Sequence, residues 1–277
     1  MNEGILFDIA RGSFVDGPGV RTVVFFKGCN LKCNWCHNPE SQNAIPEMIF
    51  FENTCKNCGI CKIKCPNGQE FCDLCGTCTK YCPTGARKIC GRKWTIDEVI
   101  HEIQLDLPFF NSSNGGVTFS GGECMLQVGF LKSLLIRCKE LGIHTAVDTA
   151  GNVDWENFEE IMPYTDMFLY DVKCFSEELH KKGTGVSNKK ILENLVKLST
   201  AFTGDIIIRI PIIPEFNTDE LELKKMSKFI KNIKYKKLEL LPYHKLGENK
   251  CIALGRKERI YSIPSNEDVE KIKLMFK

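Results

Sequence analysis

Hydrophobic and polar residues follow two repeating patterns along most of the chain. Short runs rich in β-branched and aromatic residues alternate with longer segments in which apolar residues recur every three or four positions. The short runs predict strands at residues 22–27, 116–120, 144–148, 167–171, 205–210 and 237–241. The longer segments predict helices at residues 95–105, 125–140, 155–162, 189–200, 219–233 and 266–276.

The order of these elements predicts an α/β fold. Repeated strand–helix units are typical of a parallel sheet. Six units are too few to close an eight-stranded barrel, so we predict a partial (β/α)6 TIM-like barrel. Ligands bind such barrels at the C-terminal ends of the strands, so the residues just after each strand are the candidates for chemistry.

One segment interrupts the alternation between the first strand and the first helix. Residues 52–90 contain nine of the 16 cysteines and show little apolar periodicity. We therefore predict a barrel formed by residues 1–51 and 91–277, with a small insert at residues 52–90.

Composition and charge exclude several classes of protein. An apolar content of 43% rules out disordered, collagen-like and coiled-coil chains, and a formal net charge of +2 gives no reason to expect nucleic acid or an anionic membrane as partner. The sequence has neither a secretory signal nor an apolar run of about 18 residues. We expect a cytoplasmic protein, in which clustered cysteines stay reduced and bind metal.

The first cysteine group directly follows the first predicted strand. Cys29, Cys33 and Cys36 form a CxxxCxxC loop. A [4Fe-4S] cluster normally takes four thiolates, so three leave one iron open to another ligand. Zinc bound by these cysteines and His37 is an alternative. Residues 33–37 also match the CxxCH haem motif, but haem attachment would require export.

Two further cysteine groups lie in the predicted insert. Both follow the CxxCxxCxxxCP pattern of bacterial two-cluster ferredoxins, in which the fourth cysteine ligates the other cluster. Zinc is again the alternative. Only residues 66–71 separate the groups, so the connection is shorter than in an ordinary ferredoxin. The expected ligand sets are Cys55, Cys58, Cys61 with Cys82, and Cys72, Cys75, Cys78 with Cys65.

Several segments together resemble the radical S-adenosylmethionine (SAM) activating enzymes of glycyl radical enzymes. The resemblance extends from about residue 16 to residue 247. The SGGE segment resembles the family's GGE motif, which binds the methionyl amino group of SAM. The matching segments are DGPGVR at 16–21, FKGC at 26–29, CNWCHNP at 33–39, SGGE at 120–123, DTAG at 148–151, YDVK at 170–173, IRIP at 208–211 and LLPYHKLG at 240–247.

The resemblance implies a set of functional residues. Cys29, Cys33 and Cys36 would bind the catalytic [4Fe-4S] cluster. A monovalent cation would bind near Asp148 and Asp171. The residues implied around SAM are Trp35, Gly121, Gly122, Glu123, Asp148, Asp171, Lys173, Arg209 and His244.

The resemblance also implies the reaction. SAM is reductively cleaved to methionine and a 5′-deoxyadenosyl radical, which takes a hydrogen atom from a glycine Cα of a partner glycyl radical enzyme. The central step needs no acid or base, so Asp148, Asp171 and Lys173 are expected to position ligands and compensate charge. The insert favours a partner of the dehydratase, lyase or decarboxylase type. Asp16 and its neighbours resemble the part of the family that meets the partner's loop.

Other expectations concern partners and alternatives. The mild excess of basic residues in the insert suits a flavodoxin or ferredoxin as electron donor. We expect an anaerobic, monomeric enzyme. Another radical SAM maturase with auxiliary clusters, acting on a peptide or a sulfatase, is an alternative, as is a non-catalytic iron–sulfur electron carrier or a zinc-bearing interaction protein.

Overall fold

The computed structural model describes residues 2–68, 71–257 and 260–276, so residues 69 and 70 of the predicted insert are not described. The strands are β1 (Glu3–Ser13), β2 (Arg21–Phe26), β3 (Glu47–Phe50), β4 (Arg87–Cys90), β5 (Arg92–Thr95), β6 (Gly116–Gly121), β7 (His144–Thr149), β8 (Met167–Asp171), β9 (Asp205–Ile212) and β10 (Lys237–Pro242). The helices are α1 (Ile60–Lys64), α2 (Thr77–Lys80), α3 (Ile96–Gln104), α4 (Leu107–Ser113), α5 (Val128–Glu140), α6 (Trp155–Ile161), α7 (Glu177–Thr184), α8 (Lys189–Ala201), α9 (Glu220–Ile230), α10 (Glu248–Ala253) and α11 (Asn266–Met275).

The main sheet has the strand order β10-β9-β8-β7-β6-β2-β1-β5. Strands β2 and β6 to β10 run parallel to one another and match the six predicted strands, with β8 at the predicted bounds. The predicted α/β fold with a mostly parallel sheet is therefore confirmed. The sheet is open, because β10 and β5 form its two edges and do not pair with each other.

The sequence patterns missed two strands of this sheet. Strand β1 pairs antiparallel with β2, and β5 pairs antiparallel with β1. Asp8 and Arg11 place charges within β1, which therefore lacks the apolar run of a buried strand. Both strands lie at the β5 edge of the sheet. Antiparallel strands can have one face in water, so they need apolar residues on the other face only.

The core fills the space between the sheet and its covering helices. Phe119 and Phe168 of the strands are fully buried, as are Leu134 of α5 and Leu195 of α8. Helix α3 begins with a capping box, in which the Thr95 hydroxyl accepts from the backbone of Glu98 and the Glu98 carboxylate accepts from the backbone of Thr95. Across the described ranges, no helix is long and apolar enough to cross a membrane.

The predicted insert has a two-stranded base. Strands β3 and β4 pair antiparallel with Phe50 opposite Arg87, so the chain enters and leaves the cysteine-rich segment at the same place. Gly59 before α1 has φ 74° and Gly76 before α2 has φ 76°. Both glycines directly follow the second cysteine of their group, so the two groups fold alike and only glycine fits this conformation without strain.

Helix α8 allows a matched test of the core. Leu195 is fully buried, whereas the neighbouring Val196 is 46% exposed. We expect Leu195→Ala to lower the free energy of unfolding by about 2–5 kcal/mol, because it leaves a cavity between helix and sheet. Val196→Ala should change it by less than about 0.5 kcal/mol. Urea unfolding of both variants checks this; equal losses would contradict the placement of α8.

Candidate active site

The CxxxCxxC loop follows β2 and is held in place by residues that lie outside the strands. The backbone of Lys32 donates to the Thr184 carbonyl at 2.8 Å, and that of Asn34 donates to the Gly183 carbonyl at 3.0 Å. Trp35 packs on Phe216, with ring centroids 4.2 Å apart. A Cβ at Gly183 would approach both aromatic rings within 2.8 Å, so only glycine fits here. The end of α7 thus holds the cysteine loop in place.

The three cysteines of this loop are close together and partly buried. Burial raises the pKa of each thiol, that of Cys36 to about 12, and the charge of Cys33 adds to the increase at Cys29 and Cys36. Three neighbouring thiolates at partly buried positions require a positively charged group, such as a metal centre, to balance their charge. This donor set fits an iron–sulfur cluster bound by three thiolates.

None of the cysteines, all of which lie in the described ranges, forms a disulfide. Within the same ranges, no three His, Cys, Asp or Glu side chains are placed to hold a single metal ion.

The SGGE segment at the end of β6 lies against the start of the cysteine loop. The Gly122 backbone donates to the Phe26 carbonyl at 2.9 Å, and the Glu123 backbone donates to the Gly28 carbonyl at 2.8 Å. A Cβ at Gly121 would lie 2.3 Å from the Phe26 backbone, and one at Gly122 would lie 2.2 Å from the Gly28 carbonyl oxygen. Both glycines are therefore needed for the close approach of β6 to the loop.

The Glu123 side chain turns away from this contact into the protein. It is 1% exposed and accepts hydrogen bonds from the Thr149 hydroxyl at 2.8 Å and the Ala150 backbone at 3.1 Å. Burial raises the pKa of Glu123 to about 7 despite these donors. The carboxylate thus ties the end of β6 to the end of β7.

Arg209 of β9 lies among carboxylates inside the barrel. Its guanidinium is 3.6 Å from Asp148, 3.8 Å from Asp16 and 3.3 Å from Glu239, and it donates to the Val15 carbonyl. Burial raises the pKa of Asp148 to about 6, although Arg209 opposes this. We call Arg209, Asp16, Asp148 and Glu239 the lumen ion cluster.

Lys173 connects the end of β8 with the cysteine loop. Its ammonium is 2.9 Å from the Asp171 carboxylate. Burial lowers the pKa of Lys173, but the negative charges of Asp171 and of the Cys33 thiolate outweigh burial and raise it above its ordinary value. A lysine charged in this position can balance negative charge at the cysteines.

His244 lies beside His37, which follows the third cysteine of the loop. Its Nδ1 is 2.6 Å from His37 Nε2, and the ring centroids are 3.5 Å apart. Burial and the neighbouring His244 lower the pKa of His37 to about 4. The two residues are 207 positions apart, so no local pattern could have predicted this pair.

The insert contains a cavity lined by four cysteines. The cavity has a volume of about 370 Å³, and the cysteines that line it are Cys55, Cys58, Cys61 and Cys82. This is the first of the two ligand sets expected from the sequence. The backbone amide of Arg87 is the main cause that lowers the pKa of Cys82 to about 7, which favours the thiolate.

The second cysteine set is adjacent. Burial raises the pKa of Cys78, and the charges of Cys72, Cys65 and Cys75 raise it further, while the charge of Arg87 lowers it. Cys78 is therefore close enough to the other three members of the second expected set for their charges to act on it. Arg87 lies where the two sets meet.

Six parallel strands with a CxxxCxxC loop at their C-terminal ends define an enzyme of the radical SAM class. Residues 65–226 match the sequence model of the Radical SAM superfamily. The trans-4-hydroxy-L-proline dehydratase activating enzyme of Clostridioides difficile is 41% identical over 98% of this chain and 95% of its own length. The chain therefore belongs to the radical SAM superfamily and, within it, to the activating enzymes of glycyl radical enzymes, as its motifs suggested.

Two further comparisons support the same family. The 4-hydroxyphenylacetate decarboxylase activating enzyme of Clostridioides difficile strain CD196 is 39% identical over 98% of this chain and 91% of its own length. The crystal structure of a domain of pyruvate-formate lyase-activating enzyme from Bacteroides vulgatus ATCC 8482 superposes with a TM-score of 0.50 at 32% identity. It covers 58% of this chain and 92% of its own.

The buried Glu123 predicts a pH dependence of stability. Its pKa is about 7 in the folded protein against 4.5 for an ordinary glutamate, so ionisation costs more when folded. The free energy of unfolding therefore falls as the pH rises from about 4.5, where the unfolded state ionises, through about 7, where the folded state ionises. Between pH 6 and 8 the unfolding free energy of the protein should fall by about 1.4 kcal/mol relative to that of Glu123→Gln.

Urea unfolding under anaerobic conditions at pH 6, 7 and 8 measures this difference. Glu178→Gln, which changes an exposed glutamate, is the control and should follow the unsubstituted protein. Parallel curves for the protein and Glu123→Gln would show that Glu123 ionises normally.

Proposed function

We propose that this chain activates a glycyl radical enzyme of the dehydratase, lyase or decarboxylase type, using one catalytic and two auxiliary [4Fe-4S] clusters. The observation that carries the proposal is the placement of three partly buried cysteines beside the Gly121–Gly122 backbone, at the C-terminal ends of the parallel strands. Two of the similar activating enzymes serve, by their names, a dehydratase and a decarboxylase.

The residues of the chain hold and orient the reactants. Cys29, Cys33 and Cys36 would hold a [4Fe-4S] cluster, which together with SAM would supply the reductive cleavage to methionine and the 5′-deoxyadenosyl radical that takes hydrogen from the partner's glycine. Lys173 balances negative charge near the cysteines. The remaining residues assigned to SAM line the strand ends or the loop: Trp35, Gly121, Gly122, Glu123, Asp148, Asp171, Arg209 and His244.

The hairpin between β1 and β2 is suited to receive the partner's glycine loop. Phe14 and Val15 are 76% and 74% exposed, yet the Val15 carbonyl and the Asp16 carboxylate are held by Arg209. Apolar side chains are thus presented to solvent on a backbone fixed from inside the barrel. Partner binding to Phe14 and Val15 would need little ordering of the chain, which favours affinity.

The insert supplies the two auxiliary clusters and forms a unit of residues 52–90 on a barrel of residues 1–51 and 91–277. Two observations support cross-ligated sets of the ferredoxin type: Cys82 lines the cavity of Cys55, Cys58 and Cys61, and the charge of Cys65 acts on Cys78. Lys56, Lys62 and Lys64 on its exposed surface favour an acidic flavodoxin or ferredoxin as electron donor. We also assign a monovalent cation to Asp148 and Asp171, and expect a cytoplasmic monomer that works without oxygen.

The catalytic assignment is tested by replacing Cys29, Cys33 and Cys36 together with serine. We expect iron to fall from about 12 to about 8 atoms per chain, because the insert clusters remain. Cleavage of SAM should be lost. The glycyl radical that the unsubstituted protein generates in trans-4-hydroxy-L-proline dehydratase or a related partner should be absent by electron paramagnetic resonance (EPR).

Cys138→Ala is the control, because Cys138 is buried in α5 and belongs to no group. It should retain iron, cleavage and radical formation. SAM cleavage by the triple variant would overturn the assignment of the catalytic cluster.

The ligand sets of the insert predict which cysteines act together. Cys58→Ser and Cys82→Ser should lose the same EPR signal of a reduced cluster, because both side chains line one cavity. The double variant should lose no further signal. Cys75→Ser and Cys65→Ser should lose the other signal. If Cys65→Ser instead matches Cys58→Ser, each cluster is bound by one contiguous group and the proposed cross-ligation is wrong.

A further inference from the structure

Arg87 contains a buried polar atom for which the protein provides no hydrogen-bond partner. Its Nε is inaccessible to solvent and donates to no acceptor in the described residues. A buried donor without an acceptor costs free energy and calls for an explanation. The acceptor is therefore to be sought in a group that the insert binds.

The position of Arg87 limits what that group can be. The residue lines the cavity of Cys55, Cys58, Cys61 and Cys82, and its guanidinium lies over the Phe50 ring with the carbon 4.7 Å from the ring centroid. Phe50 and Arg87 are also paired across strands β3 and β4. The ring and the strand pairing place the guanidinium at the cavity.

We propose that Arg87 donates a hydrogen bond from Nε to a sulfur of the cluster in this cavity and raises that cluster's reduction potential. The inference rests on the proposed function, since it requires an auxiliary cluster at the first cysteine set. One-electron reduction adds negative charge to a cluster. A fixed positive charge and a hydrogen bond to sulfur both stabilise the reduced form.

A functional consequence follows from the asymmetry of the insert. The positions of α1 and α2 repeat, but Arg87 follows the second group only and lines the cavity of the first cysteine set. Arg87 therefore gives the cluster of the Cys55 set a hydrogen-bond donor that the repeat does not supply to the neighbouring cluster. Arg87 is a positioning residue for electron transfer, and no step of SAM cleavage involves it.

The test is a reductive titration of the anaerobically reconstituted protein, followed by EPR. The signal lost in Cys58→Ser identifies the cluster of the first set. In Arg87→Met this signal should appear at a more negative potential, with at least a tenfold lower ratio of reduced to oxidised cluster at a fixed potential, or about 59 mV. Arg87→Lys keeps the charge without the Nε donor and should show a smaller shift of the same sign.

Lys56→Met is the matched control. Lys56 lines the same cavity but is exposed, so solvent screens its charge and the potential should stay within a few millivolts of that of the unsubstituted protein. If Arg87→Met binds less iron, the shift is measured in Arg87→Lys, where an unchanged potential overturns the proposal. Full iron with an unchanged potential in Arg87→Met also overturns it. About four irons and no insert signals in the unsubstituted protein would instead refute the auxiliary clusters themselves.

Discussion

A buried arginine compensates for the open side of this barrel. Strands β10 and β5 do not pair, so no backbone hydrogen bonds join the two edges of the sheet. Arg209 instead bridges the lumen by contacting Glu239 of β10, Asp148 of β7, and both Val15 and Asp16 of the hairpin that precedes β2. Removing a partner from such a buried group leaves an uncompensated charge, which is far costlier than loss of a surface ion pair. The lumen ion cluster thus fixes the hairpin relative to the strand ends.

The catalytic end of the barrel depends on backbone contacts as much as on side chains. Gly121 and Gly122 allow β6 to touch the chain at Phe26 and Gly28, immediately before the first cysteine. On the other side, α7 accepts two backbone hydrogen bonds from the cysteine loop. A loop held from both sides needs little reorganisation when it binds a cofactor, and this is the physical basis of a preorganised site.

The repeated strand and helix patterns were enough to predict the six parallel strands, and the cysteine spacing located the loop and the insert. The contacts between side chains could not be predicted from the sequence. Glu123 lies in a motif associated with SAM, yet its carboxylate turns inward to Thr149, which depends on the packing of β6 against β7. The contact of His37 with His244 joins the cysteine loop to the segment after β10. Such contacts arise from the closing of the whole fold, and local periodicity carries no information about them.

The insert is joined to the catalytic loop through one buried lysine. Lys27, 1% exposed, donates to the Glu40 carbonyl at 2.6 Å and to the Glu47 carboxylate at 3.0 Å. Glu47 opens β3 at the base of the insert and also contacts Arg256 at 2.9 Å. Since Lys27 directly precedes Gly28 and Cys29, a rotation of the insert about its base would unpair a charge next to the cysteines of the CxxxCxxC loop. That cost keeps the base of the insert in a fixed relation to the cysteine loop.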